Sequence, residues 1–138
     1  MNDSEAIRRL IALYGPLLDG GRLEEWGQLF HPDAVFAVWT ERYEGREAIV
    51  KGIGGMQPEA HISHLALTPI IDFEGEDAAR AWTDFSVCIQ QGETTSVANT
   101  GRYHDRLRRA DGRWRFAERV VVMPGATPPD GVPLPPGF

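Results

Sequence analysis

Few side chains in this sequence can move a proton near neutral pH: the four histidines, His31, His61, His64 and His104, are the main candidates. Histidine is suited to that work because its ordinary pKa, about 6.5, lies close to operating pH. His61 and His64 stand three residues apart, and His104 could complete a three-histidine metal site. In a strand, however, that spacing puts the two side chains on opposite faces. No acidic helper sits at a recognisable ligand spacing either, so no metal is expected. His31, in Phe30-His31-Pro32-Asp33, reads as turn chemistry at a helix end. Cys88, the single cysteine, has nothing beside it to activate a thiol and reads as a small buried apolar residue.

These groups need elements to hold them. Ile7, Leu10, Ile11, Tyr14, Leu17 and Leu18 repeat at helical spacing and predict a helix over residues 4–19. Asp3 or Ser4 would cap it and Gly20-Gly21 would stop it. Tyr14 then lies one turn before Leu18 on the inner face, and Asp19 at the border of that face. A second helix is expected over Arg22–Phe30, with His31-Pro32-Asp33 breaking it. A strand over Ala34–Trp39, a turn at Tyr43-Glu44-Gly45 and a short helix over residues 46–53 follow. From His61 the period changes to two. Strands are expected at His61–Thr68, Ile70–Phe73, Ala78–Gln90, Thr94–Arg109 and Trp114–Val122, the long ones bent by bulges. Asp111-Gly112 is a strong hairpin signal.

Helices followed by a meander predict an α+β domain in which a curved antiparallel sheet packs on N-terminal helices around an apolar pocket. Residues 1–122 would form it. Residues 123–138 carry six of the ten prolines and read as a tail or strap. The 138-residue length suits one core. A net charge of −6 argues against a nucleic-acid partner. The arginines at 102, 106, 108, 109, 113, 115 and 119 alternate along two paired strands with Asp105, Asp111 and Glu118, as a solvated sheet face does. No apolar run is long enough to span a bilayer. The acidic start does not read as a signal peptide, and a single cysteine fits a reducing compartment. Cytoplasmic localisation is the expectation.

Four stretches resemble the SnoaL-like group of the nuclear transport factor 2-like superfamily. They are Tyr14–Asp19 with the following helix and His31-Pro32-Asp33-Ala34; Gly45-Arg46-Glu47-Ala48-Ile49; His64 leading into Thr68–Phe73; and Gly101-Arg102-Tyr103 with Asp111–Phe116 and Glu118-Arg119. Together they cover roughly residues 5–122. The resemblance implies a cone-shaped domain with a deep pocket, paired as a homodimer through its sheet. Enzymes of that superfamily include polyketide cyclases, ketosteroid isomerase, scytalone dehydratase and hexachlorocyclohexane dehydrochlorinase. They need no metal or organic cofactor, and none is expected here.

The resemblance also assigns roles. Asp19 matches the aspartate that orients a histidine in the dehydratase and dehydrochlorinase, and His64 falls where that histidine does. A carboxylate accepting from Nδ1–H leaves Nε2 free as a base. Tyr14 matches the tyrosine that donates to an oxyanion in ketosteroid isomerase, although the base of that enzyme corresponds here to about Val38. Arg119 matches an arginine that assists a leaving anion. Trp26, Phe30, Trp39, Ile53, Met56 and Trp82 are the candidate substrate-binding wall. The expectation is a lyase or isomerase acting by proton transfer on a small apolar oxygenated substrate. A non-catalytic binding module or an interaction subunit of the same fold is the alternative.

Overall fold

The structure, a computed structural model, describes residues 1–137. Helix α1 (Asp3–Asp19) buries Ile7, Leu10, Ile11, Tyr14, Leu17 and Leu18, the stripe expected from the spacing. Its cap is Asn2 rather than Asp3 or Ser4. The Asn2 side chain accepts from the Glu5 amide at 2.9 Å, and the Asn2 amide donates to the Glu5 carboxylate at 3.2 Å, a reciprocal capping box. At the other end Gly21 takes φ +70°. Bonds from the Arg22 amide to Leu17 O (2.9 Å) and from the Gly21 amide to Leu18 O (3.1 Å) close the last turn. That closure makes Asp19 the final helical residue.

Helix α2 (Leu23–Gly27) is shorter than expected. The chain leaves it early because strand β1 (Phe30–Val38) already pairs with the distant strand β7 (Arg113–Val122), Phe30 opposite Phe116. His31-Pro32-Asp33 therefore lies inside an irregular stretch of β1 rather than ending a helix. The His31 ring is buried and its Nε2 donates to Arg108 O at 2.8 Å. Strand β2 (Glu41–Glu44) occupies part of the expected turn, and α3 (Arg46–Gly55) follows directly.

Strands β3 (His61–Ala66) and β4 (Ile70–Phe73) lie end to end along one edge of β5 (Ala78–Gln91). Pro69 falls in the gap between them. Strand β6 (Thr94–Ala110) joins β5 to β7, giving the order β2-β1-β7-β6-β5-β3. The expected bulges occur between Val87 and Cys88 and between Arg106 and Leu107. All pairings are antiparallel except β1 with β7, which is parallel. Side-chain periodicity sets which face a residue takes but not the direction of its neighbour. The curved, unclosed sheet packs its inner face on the helices. Among the described residues no helix is long and apolar enough to cross a membrane.

Beyond β7 the chain turns, the Ala126 amide reaching Met123 O at 3.0 Å, and crosses back over the outer face of the sheet. Pro133 O accepts from Trp82 Nε1 at 3.0 Å and faces the His104 ring nitrogen Nδ1 at 3.3 Å. This strap buries both rings.

Burial lowers the pKa of His31 and of His104. A depressed histidine contributes fully to stability above the unfolded value near 6.5, and that contribution is lost as pH falls towards the folded value. We predict that unfolding midpoints drop between about pH 7 and pH 5. The slope should flatten in a His31→Gln/His104→Gln double variant, followed by urea titration at each pH. An unchanged slope would show that neither ring titrates with folding.

Candidate active site

Helix α1 crosses β3 so closely that a Cβ on Gly15 would collide with the His64 carbonyl. Glycine is required there by contact, not by φ. The crossing brings Asp19, at the helix end, against His64. Nδ1–H of His64 donates to Asp19 Oδ1 at 2.5 Å, and the His64 backbone amide donates to Oδ2 at 2.7 Å. Both side chains are largely buried, at 13% and 16% exposure. A carboxylate at a helix C-terminus is electrostatically disfavoured, by roughly 0.3–1 kcal/mol, and the two bonds offset that. With the Nδ1 proton engaged by Asp19, Nε2 carries the lone pair of the neutral His64 ring.

His64 forms part of the wall of a cavity of about 340 Å³ at the open end of the cone. Tyr14, Phe36, Ile53, Phe85 and Tyr103 line its inner part, and Trp39 and Met56 lie towards the mouth. Trp39 is 61% exposed and Met56 43%. Tyr14 meets the His64 ring edge-on, centroids 6.0 Å apart. Burial pushes the Tyr14 phenol up to about 12, against the opposing pull of Arg119. It stays protonated at neutral pH.

The other expected residues sit elsewhere. Arg119 is wholly buried, and its Nε and Nη2 donate to the two carboxylate oxygens of Asp105, each at 2.8 Å. It is not on the cavity wall, so it cannot meet a leaving anion directly. Its guanidinium instead lies against the rings of Tyr103, Tyr14 and Phe116 at 3.8, 4.3 and 4.3 Å. Burial pushes the Asp105 carboxyl up, opposed by Arg119. For Arg119 burial acts downward, but Asp105 outweighs it and the cation is retained. Trp26 and Phe30 pack behind Tyr14, centroids 5.5 and 6.5 Å from it, and belong to the core rather than the substrate wall. Trp82 is on the opposite face of β5, under the strap.

Asn99, Gln57 and Tyr103 are the polar wall residues that the sequence reading did not select. Tyr103 was detectable in principle, since it lies two residues before Asp105 and four before the fully buried Leu107, all on one face of β6. Asn99 was not, because the bulge near Val87 changes the register there. A larger groove, about 510 Å³, lies between the strap and the outer face and is lined in part by Asp84 and Arg102. It has no counterpart of the Asp19–His64 pair.

A cone of helices on a curved sheet, with an acid-oriented histidine in its mouth, defines the class of this protein. The SnoaL-like domain profile matches residues 1–120, and the chain belongs to that family. No curated protein matches the sequence. Among solved structures it is similar to an NTF2-like protein with a cystatin-like fold from Novosphingobium aromaticivorans, with 27% identity, TM-score 0.83, and 91% of this chain and 84% of that one covered. A candidate scytalone dehydratase from the same organism shares 25% identity at TM-score 0.74, covering 88% and 87%. The β subunit of a candidate aromatic-ring-hydroxylating dioxygenase, also from that organism, has the same fold at 21% identity, TM-score 0.76, covering 94% of each chain.

Removing one partner of a buried ion pair leaves the other charge uncompensated and costs about 3–5 kcal/mol. We predict that loss for Arg119→Met and for Asp105→Leu by urea unfolding. The double variant should recover most of it. Two single variants each within 0.5 kcal/mol of the parent, roughly the scatter of surface substitutions, would remove the pair from the core.

Proposed function

We propose that this chain is a cofactor-independent lyase or isomerase that moves a proton on a small, mostly apolar, oxygenated substrate. The observation that carries the reading is the Asp19–His64 pair on the wall of an apolar cavity. Nε2 of His64 takes a proton from carbon beside a carbonyl, and Asp19 stabilises the imidazolium that results. Tyr14, a protonated phenol in the same cavity, donates to the oxygen that gains charge. Returning the proton to another carbon gives double-bond migration. Loss of a β-hydroxyl, which takes the proton from the imidazolium and departs as water, gives dehydration. The likeness to a candidate scytalone dehydratase supports the dehydration branch.

A second reading, a non-catalytic binding or interaction subunit, draws on Leu65, Leu67 and Ile70, each about half-exposed along β3, β4 and the residues between. The likeness to a dioxygenase β subunit is consistent with it. The aligned Asp19–His64 pair favours the first.

The test is proton NMR in D₂O with a panel of β-hydroxyketones and β,γ-unsaturated ketones, following water loss, double-bond shift and deuterium uptake beside the carbonyl. General-base catalysis contributes typically 10²–10⁴-fold. His64→Gln should lower kcat/KM by at least about 10²-fold, and Asp19→Asn by about 10²-fold through loss of ring orientation. Turnover unaffected by His64→Gln would refute the dyad. No reaction with any member of the panel would favour the second reading.

A further inference from the structure

The C-terminal strap takes no part in the chemistry above, and its composition dictates its shape. Val132, Leu134 and Pro135 each precede a proline, which pushes their backbone to the extended region. The rings of Pro133, Pro135 and Pro136 fix φ at about −65°. Residues 132–136 are therefore held close to a polyproline II helix, which has three residues per turn. Burial follows that period. Val132 and Pro135, three apart, are half-buried, while Pro133, Leu134 and Pro136 are exposed. Trp82 serves both contacts, lining a small hollow with Val132 and a larger one with Pro135. Its indole N–H donates to the intervening Pro133 carbonyl at 3.0 Å, and the His104 ring faces the same oxygen at 3.3 Å. Proline has no N–H, so carbonyls are the polar groups such a segment offers. A flat ring carrying one donor meets both its surface and its oxygen.

We propose that Trp82 and His104 form a second binding site, for a proline-rich segment in this conformation, and that its partner is the strap of a second copy of this chain. The chain's own strap is the occupant in the structure, so the site is self-blocked until that strap lifts. Among the described residues the strap's hydrogen bonds to the sheet all converge on Pro133 O, so lifting it breaks little. The strap also leaves hollows of about 510 and 500 Å³ beside it. Leu67, Ile70 and Leu134, which line them, stay exposed, an apolar margin that a second copy would cover. The tether, residues 123–131, turns at Gly125 and Gly131 with φ of +79° and +82°. Opened out, those nine residues span about 30 Å, enough to reach a neighbouring copy. Exchange remakes each contact in the partner, which is why swapping an identical element is a low-cost route to dimers. The site is independent of the reaction proposed for the Asp19–His64 cavity.

The probe is a fluorescein-labelled peptide of residues 127–137, titrated by anisotropy against the full chain. A second titration uses a full-chain Pro133→Ser/Pro135→Ser/Pro136→Ser variant, whose own strap has lost its conformational bias. A tethered strap competes at an effective concentration of about millimolar order. The peptide should therefore bind the triple variant at least about tenfold more tightly than the parent. Adding Trp82→Phe removes the indole donor and should weaken that binding roughly two- to tenfold. Thermal midpoints within about 2 °C of the parent establish that the variants fold. A peptide carrying the same three substitutions should not bind, a control that does not depend on any variant folding. Exchange itself is read by mixing the triple variant, with its site open, and a Trp82→Phe chain, with its strap intact. Sedimentation velocity should then show a 1:1 species that neither shows alone. A triple variant that ignores the peptide, binding untouched by Trp82→Phe, or equal binding of the substituted peptide overturns the site. No new species on mixing overturns the second copy as partner and leaves the strap an internal clasp.

Discussion

The site depends on how closely α1 lies against β3. Asp19 grips His64 twice, through the ring nitrogen and through the backbone amide, so the carboxylate orients an imidazole and pins a strand with the same two oxygens. Neither bond could form if the helix stood further off, and the absence of a side chain at Gly15 is what permits the approach. The capping box at Asn2 and the glycine closure after Asp19 set where the helix starts and stops. One residue more or less between Gly15 and Asp19 would rotate Asp19 by about 100° away from the strand.

Behind this contact the core solves a different problem. Arg119 and Asp105 are both wholly buried. Such a pair seldom adds net stability, because desolvation consumes much of the attraction. What it provides here is position. Three aromatic rings pack on the guanidinium, and two of them reach the cavity. Nη1 of Arg119 has no protein partner, so the ion pair is incompletely satisfied. An apolar replacement of similar volume could satisfy the core equally well. It could not hold two phenols against a cation.

The order of elements was legible because each carries its own period and punctuation. The α1 stripe, the Pro69 break and the Asp111-Gly112 turn, with φ of +54° and +72°, are local signals. Asp19 and His64 were reachable only through the resemblance, since 45 residues separate them and neither forms a local motif. Trp82 shows where parity was overlooked. It lies three residues from Phe85 in one strand, so the two cannot share a face, and Phe85 has the cavity. Arg119 shows the limit of carrying a role across: its position matches, but Asp105 and the rings around it decide what it touches. The early end of α2 and the parallel β1–β7 pair arise from contacts more than 80 residues apart, which no local window contains.

The cavity mouth adds a constraint on how a substrate is held. Trp39 adopts φ +52° at the turn between β1 and β2, a conformation that costs a non-glycine residue on the order of 1 kcal/mol or more. The same residue leaves most of its ring in solvent beside Met56, whose sulfur accepts from the Tyr43 hydroxyl at 3.3 Å. Neither strain nor exposure stabilises the empty protein. The exposure would be relieved in part by an apolar ligand filling the mouth, which would bury the indole and displace water from around His64. Removing that water strengthens the interactions of the charges formed when His64 gains its proton. In the reaction proposed here, entry of the substrate would itself dry the site.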